Sequence, residues 1–115
     1  MNNLKVKEMF DEIYSELNAN QDKIQNLNGK MQFDFTADNN GKWCVEFTDG
    51  KAFIVEGAVE DATFTLFTRY NLFYDLHTGK ISHDEATMTG EFNIAGDEIF
   101  GSKAGKAIKE CSKYI

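Results

Sequence analysis

The chain has 115 residues, which is enough for one domain with a hydrophobic core and too few for two. Hydrophobic residues make up 42% of it, and ten Phe with one Trp exclude a disordered chain, because disordered chains are poor in aromatic residues. Twelve Lys and Arg against 19 Asp and Glu leave a net charge of −7, which argues against a nucleic-acid partner because an acidic surface repels phosphates.

The first half of the chain predicts one helix and three strands. Apolar residues recur at three- and four-residue spacing in Leu4–Leu17, which indicates an amphipathic helix. The period then changes to two in Met31–Phe35 and in Lys42–Phe47, as expected of half-buried strands. The dipeptide Asp49-Gly50 favours a tight hairpin into a third strand, Lys51–Glu56. We expect these three strands to form an antiparallel meander.

The next segment predicts a fourth strand and a helix. Ala62–Thr68 is rich in residues that favour strands, and its alternation turns Phe67 towards the polar side. Thr68 is the predicted N-cap of a helix that ends at Gly79, a residue suited to the left-handed conformation after a helix.

Two more helices and a fifth strand complete the prediction. Ser82-His83-Asp84-Glu85 has the pattern of a capping box and opens a short helix. The fifth strand turns Phe92 and Ile94 inward, and Gly96-Asp97 then caps a last helix that runs towards Tyr114.

The most prominent feature is an apolar face. If the five strands share one sheet, its inner face must be covered by the helices and collects the following residues: Met31, Phe33, Phe35, Trp43, Val45, Phe47, Phe53, Val55, Phe64, Leu66, Phe92 and Ile94. An aromatic face of this kind is typical of an ordinary core. The pattern alone does not predict an empty volume.

The last helix has two different sides. At 100° per residue, one side is apolar and carries Phe100, Ala104, Ala107, Ile108 and Cys111, and the other carries Lys103, Lys106, Lys109 and Lys113. Lysines near a helix C-terminus complement the helix dipole and stay solvated, which is one interpretation. The other is that this lysine stripe docks to anionic lipid head groups.

The sequence offers little for catalysis. It has no GxSxG, GxGxxG or GxxxxGK[ST] pattern, and its carboxylates fall mainly in turns and helix caps. His77 and His83 are expected to face solvent around the Gly79 turn, and Cys44 is expected to be an inert strand thiol. We therefore expect no enzyme activity, no catalytic residue, no metal site and no cofactor.

The compartment is inferred from what the sequence lacks. No apolar run approaches the ~20 residues of a membrane-spanning helix, and Met1–Lys7 lacks the apolar stretch of a secretory signal. Cys44 and Cys111 form no CxxC pair, which favours reduced thiols, and Lys113-Tyr114-Ile115 is not a peroxisomal address. We expect a cytoplasmic protein with one domain at residues 1–115.

Several of these segments also resemble a known family. They are Trp43, Thr48-Asp49-Gly50, Glu60-Asp61-Ala62-Thr63, Leu76-His77-Thr78-Gly79-Lys80-Ile81, the residues Ala86, Met88 and Gly90, and Phe92-Asn93-Ile94-Ala95-Gly96-Asp97. Their order and spacing, between about Met31 and Ile108, resemble the sterol carrier protein 2 lipid-binding domain family. The chain differs from that family in Ser82-His83, where the family has Asp-Pro, and in Glu91, where it has a basic residue.

The resemblance implies an α+β fold in which a single curved, five-stranded, mixed and mainly antiparallel sheet is covered on one face by helices. It also implies an apolar tunnel that binds a sterol, fatty acid, acyl-CoA or phospholipid for intracellular transfer. The residues expected to bind the lipid come from strands and helices: Phe35, Val45, Phe47, Phe64, Leu66, Phe73, Leu76, Met88, Phe92, Ile94, Phe100, Ala104, Ala107 and Ile108.

An alternative function belongs to a different class of protein. The same kind of domain resembles appended parts of larger enzymes, so the chain is alternatively a dimerisation or interaction module that assists a partner enzyme. Ile54 and Phe67, expected on the polar face of the sheet, would then form the contact. In both cases we expect a monomer or weak dimer, and in the first a transient contact with an anionic membrane surface.

Overall fold

The computed structural model describes residues 3–112, and no helix within that range is long and apolar enough to cross a bilayer. Four α-helices and five strands follow the predicted order. They are α1 (Asn3–Ala19), β1 (Gly29–Asp34), β2 (Lys42–Thr48), β3 (Lys51–Glu56), β4 (Phe64–Phe67), α2 (Tyr70–His77), α3 (His83–Met88), β5 (Asn93–Gly96) and α4 (Glu98–Glu110). Short 3-10 turns at Gln21–Lys23 and Thr36–Asp38 flank β1.

The strands form one five-stranded sheet in the order β3-β2-β1-β4-β5. Only β1 and β4 pair in parallel, and the other pairs are antiparallel, so the predicted mixed and mainly antiparallel sheet is confirmed. The connection from β3 to β4 is held by the buried side chain of Gln32. Its Nε2 donates to the carbonyls of Trp43 and Gly57, and its Oε1 accepts from the Val59 N–H.

Helix α1 covers the β1–β3 part of the inner face, as its amphipathic pattern predicts. Its apolar stripe is buried almost completely and consists of Val6, Met9, Phe10, Ile13 and Leu17. The ring centroid of Phe10 lies 5.1 Å from that of Trp43 in a stacked pair and 5.3 Å from that of Phe33 in an edge-on pair. The Asn18 amide exchanges two hydrogen bonds with the backbone of Ala52, which satisfies part of the free edge of β3.

The prediction for the facing of β3 is wrong. Asp49 and Gly50 form a two-residue turn with positive φ angles of 52° and 78°, and this turn pairs Thr48 with Lys51. Val45 therefore pairs with Ile54, and both face inward. Phe53 and Val55, predicted inside, lie on the outer face with 45% and 38% of their surface exposed, and Ile54, predicted on the outer face, packs against the core.

Helix caps agree with the sequence at two positions and differ at a third. Ser82 forms the predicted capping box with Glu85, and the Asp97 carboxylate accepts from the first N–H groups of α4. At α2, however, the N-cap is Arg69 rather than Thr68 and makes no side-chain capping bond. The carboxylate of Asp38, from the turn after β1, accepts from the N–H groups of Tyr70 and Asn71 instead, because it is brought there by the fold.

A candidate apolar ligand cavity

A partly open cavity of about 530 Å³ lies between strands β4 and β5, helix α4, helix α2 and the start of α3. Its wall is mainly apolar and is formed by Met31, Phe64, Leu66, Phe73, Leu76, Ile81, Phe92, Ile94 and Ile108. Polar side chains also reach it: His77, Ser82, His83, Glu98, Ser102, Lys106 and Lys109. A volume of this size is in the range of small-molecule sites in proteins.

The space exists because α4 presents small residues to the sheet at this point. Gly101 lets the helix approach β4, since a Cβ added there would lie 2.5 Å from the ring of Phe64. One turn later, a Cβ added at Gly105 would meet nothing within 4 Å. The first glycine therefore closes the helix onto the sheet, and the second leaves room that an ordinary side chain would occupy.

Lys109 connects two walls of the cavity, helix α4 and helix α2. Its Nζ donates hydrogen bonds to the carbonyls of Leu76 and His77, at 2.9 and 3.1 Å. These carbonyls belong to the last turn of α2, where a helix has unpaired acceptors and a partial negative charge. The ammonium group thus caps α2 from α4 and holds the two helices together at one end of the cavity.

His77 is buried rather than exposed to solvent, so the prediction for this residue is wrong. Only 5% of its surface is accessible, and its ring stacks on that of Phe73, with the two ring centroids 5.8 Å apart. Burial, helped by the nearby charge of Lys109, lowers its pKa to about 4, although Glu12 acts in the opposite direction. The sequence signal that would have placed it inside is its position one turn after Phe73 on the apolar side of α2. His83 is exposed, as expected.

The predicted lipid-binding residues separate into two groups in the structure. Those that line the cavity are Phe64, Leu66, Phe73, Leu76, Phe92, Ile94 and Ile108. Those that are buried in packed parts of the core, away from the cavity wall, are Phe35, Val45, Phe47, Phe100, Ala104 and Ala107. Met88 is 84% exposed, and neither it nor the six buried residues line the cavity.

Some residues of the cavity wall give no signal in the hydrophobic pattern of the sequence. Gly101, Ser102 and Gly105 have too little side chain to register in a hydrophobic pattern, although their spacing places them on one side of α4. Met31 was expected on the inner face but not as a ligand contact, and Ile81 belongs to the turn before α3.

The lysine stripe of α4 is not uniform. Lys103 and Lys106 are exposed, but Lys109 is partly buried and bonded to the end of α2. Lys113, the fourth member of the predicted stripe, lies outside the described residues. The three described lysines of α4 are therefore not equivalent, because one of them is bonded to the protein and not fully solvated.

Reactive or metal-binding groups are not prominent near the cavity. Within residues 3–112 no group of three or more His, Cys, Asp or Glu is placed to hold a metal ion. Burial, and secondarily Glu46, raises the pKa of Cys44 to about 11, and burial also raises the pKa of Cys111. Both thiols are therefore protonated and weakly nucleophilic at neutral pH.

Comparison with known proteins places this fold in a family. The model of the SCP-2 sterol transfer family matches residues 9–109. Among solved structures, sterol carrier protein domain 2 of Helicoverpa armigera has a TM-score of 0.72 and 20% identity over 95% of this chain and 88% of its own. Sterol carrier protein 2 from Yarrowia lipolytica, in its apo form, has a TM-score of 0.69 and 20% identity over 90% of this chain and 89% of its own.

A third similar structure is part of a much longer protein. The sec-alkylsulfatase Pisa1 from Pseudomonas sp. has a TM-score of 0.64 and 18% identity over 76% of this chain, which corresponds to only 13% of the sulfatase. At these identities the three structures show a shared fold. The family model extends over most of the chain, including every element from within α1 to within α4, and the protein therefore belongs to the SCP-2 sterol transfer family.

Proposed function

We propose that this protein binds one long-chain lipid reversibly in the cavity and transfers it between membranes, without catalysing a reaction. The observation that carries the proposal is the partly open apolar cavity of about 530 Å³ in a member of the SCP-2 family. A partly open cavity allows exchange of a ligand, and apolar walls favour a hydrocarbon.

The size of the cavity suits one hydrocarbon chain. An apolar cavity of roughly 150 Å³ holds one benzene molecule, which is about 25 Å³ per carbon and gives room for roughly 20 carbons here. A single fatty acyl chain fits that estimate, whereas the larger carbon skeleton of a sterol and the two full chains of a phospholipid exceed it. A dozen buried methylenes provide about 10 kcal/mol before the entropy of binding is subtracted.

Transfer requires contact with a membrane, for which α4 offers two exposed cations. Lys103 and Lys106 are exposed on α4, the second of them beside the cavity, and each basic residue near an anionic surface contributes about 1 kcal/mol. A cytoplasmic location and a monomer or weak dimer belong to the same proposal. The two separate thiols, which form no disulfide with each other, are compatible with a reducing compartment.

The second candidate function is an interaction module, and exposed apolar residues on the outer face of the sheet favour it. Phe67 is 41% exposed there, together with Phe53 and Val55. However, Phe67 lies on β4 and the other two on the edge strand β3, with β1 and β2 between them. These residues do not form one continuous patch, and the apolar cavity is therefore the stronger observation.

Filling the cavity tests the proposal. In Gly105→Phe, the ring would occupy the space next to α4, whereas Gly105→Ala adds only a Cβ that meets nothing within 4 Å. We expect the alanine variant to bind a fluorescent fatty acid as the wild type does. The phenylalanine variant should bind it about tenfold less tightly, the equivalent of roughly two buried methylenes.

The measurement combines native mass spectrometry of protein purified from cells with displacement of the fluorescent fatty acid and with its transfer between vesicles. Circular dichroism confirms that both variants fold. A wild-type protein that carries no lipid, displaces no probe and transfers none would overturn the carrier function and favour the interaction module.

A further inference from the structure

The charge of the cavity is opposite to that of the protein. The whole chain carries a net charge of −7, but the ionised side chains that reach the cavity are two ammonium groups, of Lys106 and Lys109, and one carboxylate, of Glu98. The buried His77 adds no charge at pH 7, because burial lowers its pKa to about 4. A local excess of positive charge next to an apolar wall favours a ligand that combines a hydrocarbon with a negative group.

The two lysines are not equally available to a ligand. Lys109 Nζ already donates two hydrogen bonds to the carbonyls that end α2. Lys106 Nζ lies 3.9 Å from the carboxylate of Glu110, which is beyond hydrogen-bond distance, and its side chain is 75% exposed. Lys106 is therefore free to turn towards a ligand without breaking a bond that supports the fold.

Glu98 lies on the same side of α4 as Lys106, but at the N-terminal end of the helix. Glu98, Ser102 and Lys106 follow one another at four-residue intervals, and all three reach the cavity. Eight residues of helix separate the two charges by roughly 12 Å. The wall formed by α4 thus has a negative end and a positive end, so a charged head group has a preferred end of the cavity.

We infer that the cavity selects a single-chain amphiphile with an anionic head group, and that Lys106 is the residue that selects it. This inference rests on the proposed lipid binding. The hydrocarbon lies against the apolar wall, the head group lies at the exposed end next to Lys106, and Glu98 disfavours the reverse orientation by repulsion. Lys106 is a specificity-determining residue, because the apolar wall binds the hydrocarbon whatever its head group.

Amphiphiles with the same chain and different charges test this selection. The affinities of dodecanoate, dodecanol and dodecylamine are measured by calorimetry at about pH 7.5, where the acid is ionised and the amine protonated. We expect dodecanoate to bind most tightly and dodecylamine most weakly. Dodecyl phosphate, compared with dodecanoate, distinguishes a phosphorylated lipid from a fatty acid as the source of the negative charge.

Three variants assign the selection to residues. Lys106→Gln should weaken dodecanoate binding by about two- to fivefold, as expected of a solvent-exposed ion pair, and leave dodecanol unchanged. Lys103→Gln, which removes an exposed lysine of the same helix that does not reach the cavity, is the matched control and should change neither. Glu98→Gln should strengthen dodecanoate binding by a factor of about two, because it removes a repulsive charge.

The outcomes separate this inference from the proposed function. Equal affinities for the acid, the alcohol and the amine would overturn the inference and leave lipid binding intact. A preference for dodecanoate that Lys106→Gln and Lys103→Gln reduce alike would overturn the assignment to Lys106. Failure of every probe to bind the wild type would overturn both proposals together.

Discussion

The two halves of this molecule use apolar residues differently. Around α1 and strands β1–β3, rings of Phe10, Phe33, Phe35 and Trp43 contact one another and are buried to at least 94%. Around α2–α4 and strands β4 and β5, the apolar residues surround a cavity, and several large ones are exposed, such as Ile94 at 46% and Ile99 at 71%. On the inner face of the sheet, the first half packs its apolar residues against each other, and the second leaves apolar surface uncovered in the cavity wall. Phe53 and Val55 of the first half are exposed only on the outer face.

The difference has a structural cause in what covers the sheet. Helix α1 brings large side chains at every turn onto the inner face, so these buried side chains fill the space beneath it that a ligand would need. Helix α4 brings Gly101 and Gly105 to the same face, and the six-residue α3 buries only Ala86. A ligand is therefore expected to supply part of the core in the second half, whereas α1 supplies it in the first.

The largest expected effect comes from truncating a ring in each half. Phe10→Ala should lower the free energy of unfolding by about 3–5 kcal/mol, because a buried ring in the packed half leaves a cavity that its neighbours cannot fill. Phe92→Ala, in the partly exposed wall of the ligand cavity, should cost about 1 kcal/mol and weaken fatty acid binding instead. Urea unfolding of both variants measures this, and equal losses would contradict the division into two halves.

The second prediction concerns acid and His77. Because the pKa of His77 is about 4 in the folded protein and about 6.5 when unfolded, only the unfolded chain binds a proton between those pH values. This histidine should therefore lower stability as the pH falls from about 6.5 towards 4, by at most about 3 kcal/mol.

Two variants isolate that contribution from the carboxylates. His77→Phe should reduce the slope of unfolding free energy against pH in this range, and His83→Gln, at an exposed histidine, should keep it. Chemical denaturation at several pH values gives the slopes. Identical slopes for wild type and His77→Phe would mean that the buried ring is protonated at little cost.

The smallest expected effect compares neighbouring residues of α4. Ala104 is fully buried, and Ala104→Phe should lower stability by about 1–3 kcal/mol through overpacking. Gly105 borders the open side, and Gly105→Phe should lower stability by less than about 1 kcal/mol, because the ring enters the cavity and the helix loses a glycine. Thermal unfolding compares the two, and a larger loss at Gly105 would show that its surroundings are packed.

Local patterns in the sequence were sufficient for most of the fold. Alternation located all five strands, and short polar residues before helices located the caps at Ser82 and Asp97. These features depend on neighbours within a few residues, so the sequence carries them directly. The facing of β3 was mispredicted because both of its sides are apolar, and the register set by the Asp49-Gly50 turn, not the pattern, decides which side is buried.

The cavity and its charges were decided by tertiary structure. A hydrophobic pattern shows which residues face inward, as it did for Leu66 on β4 and Leu76 on α2, but not whether the space between them is filled. That depends on which residue of α4 faces them, and here it is Gly105. In the same way, the burial of His77 and the cap that Asp38 provides for α2 join parts of the chain that are far apart in sequence. Empty volume is a property of several elements together, because it exists only where the side chains of all of them are too small or too far apart to be in contact.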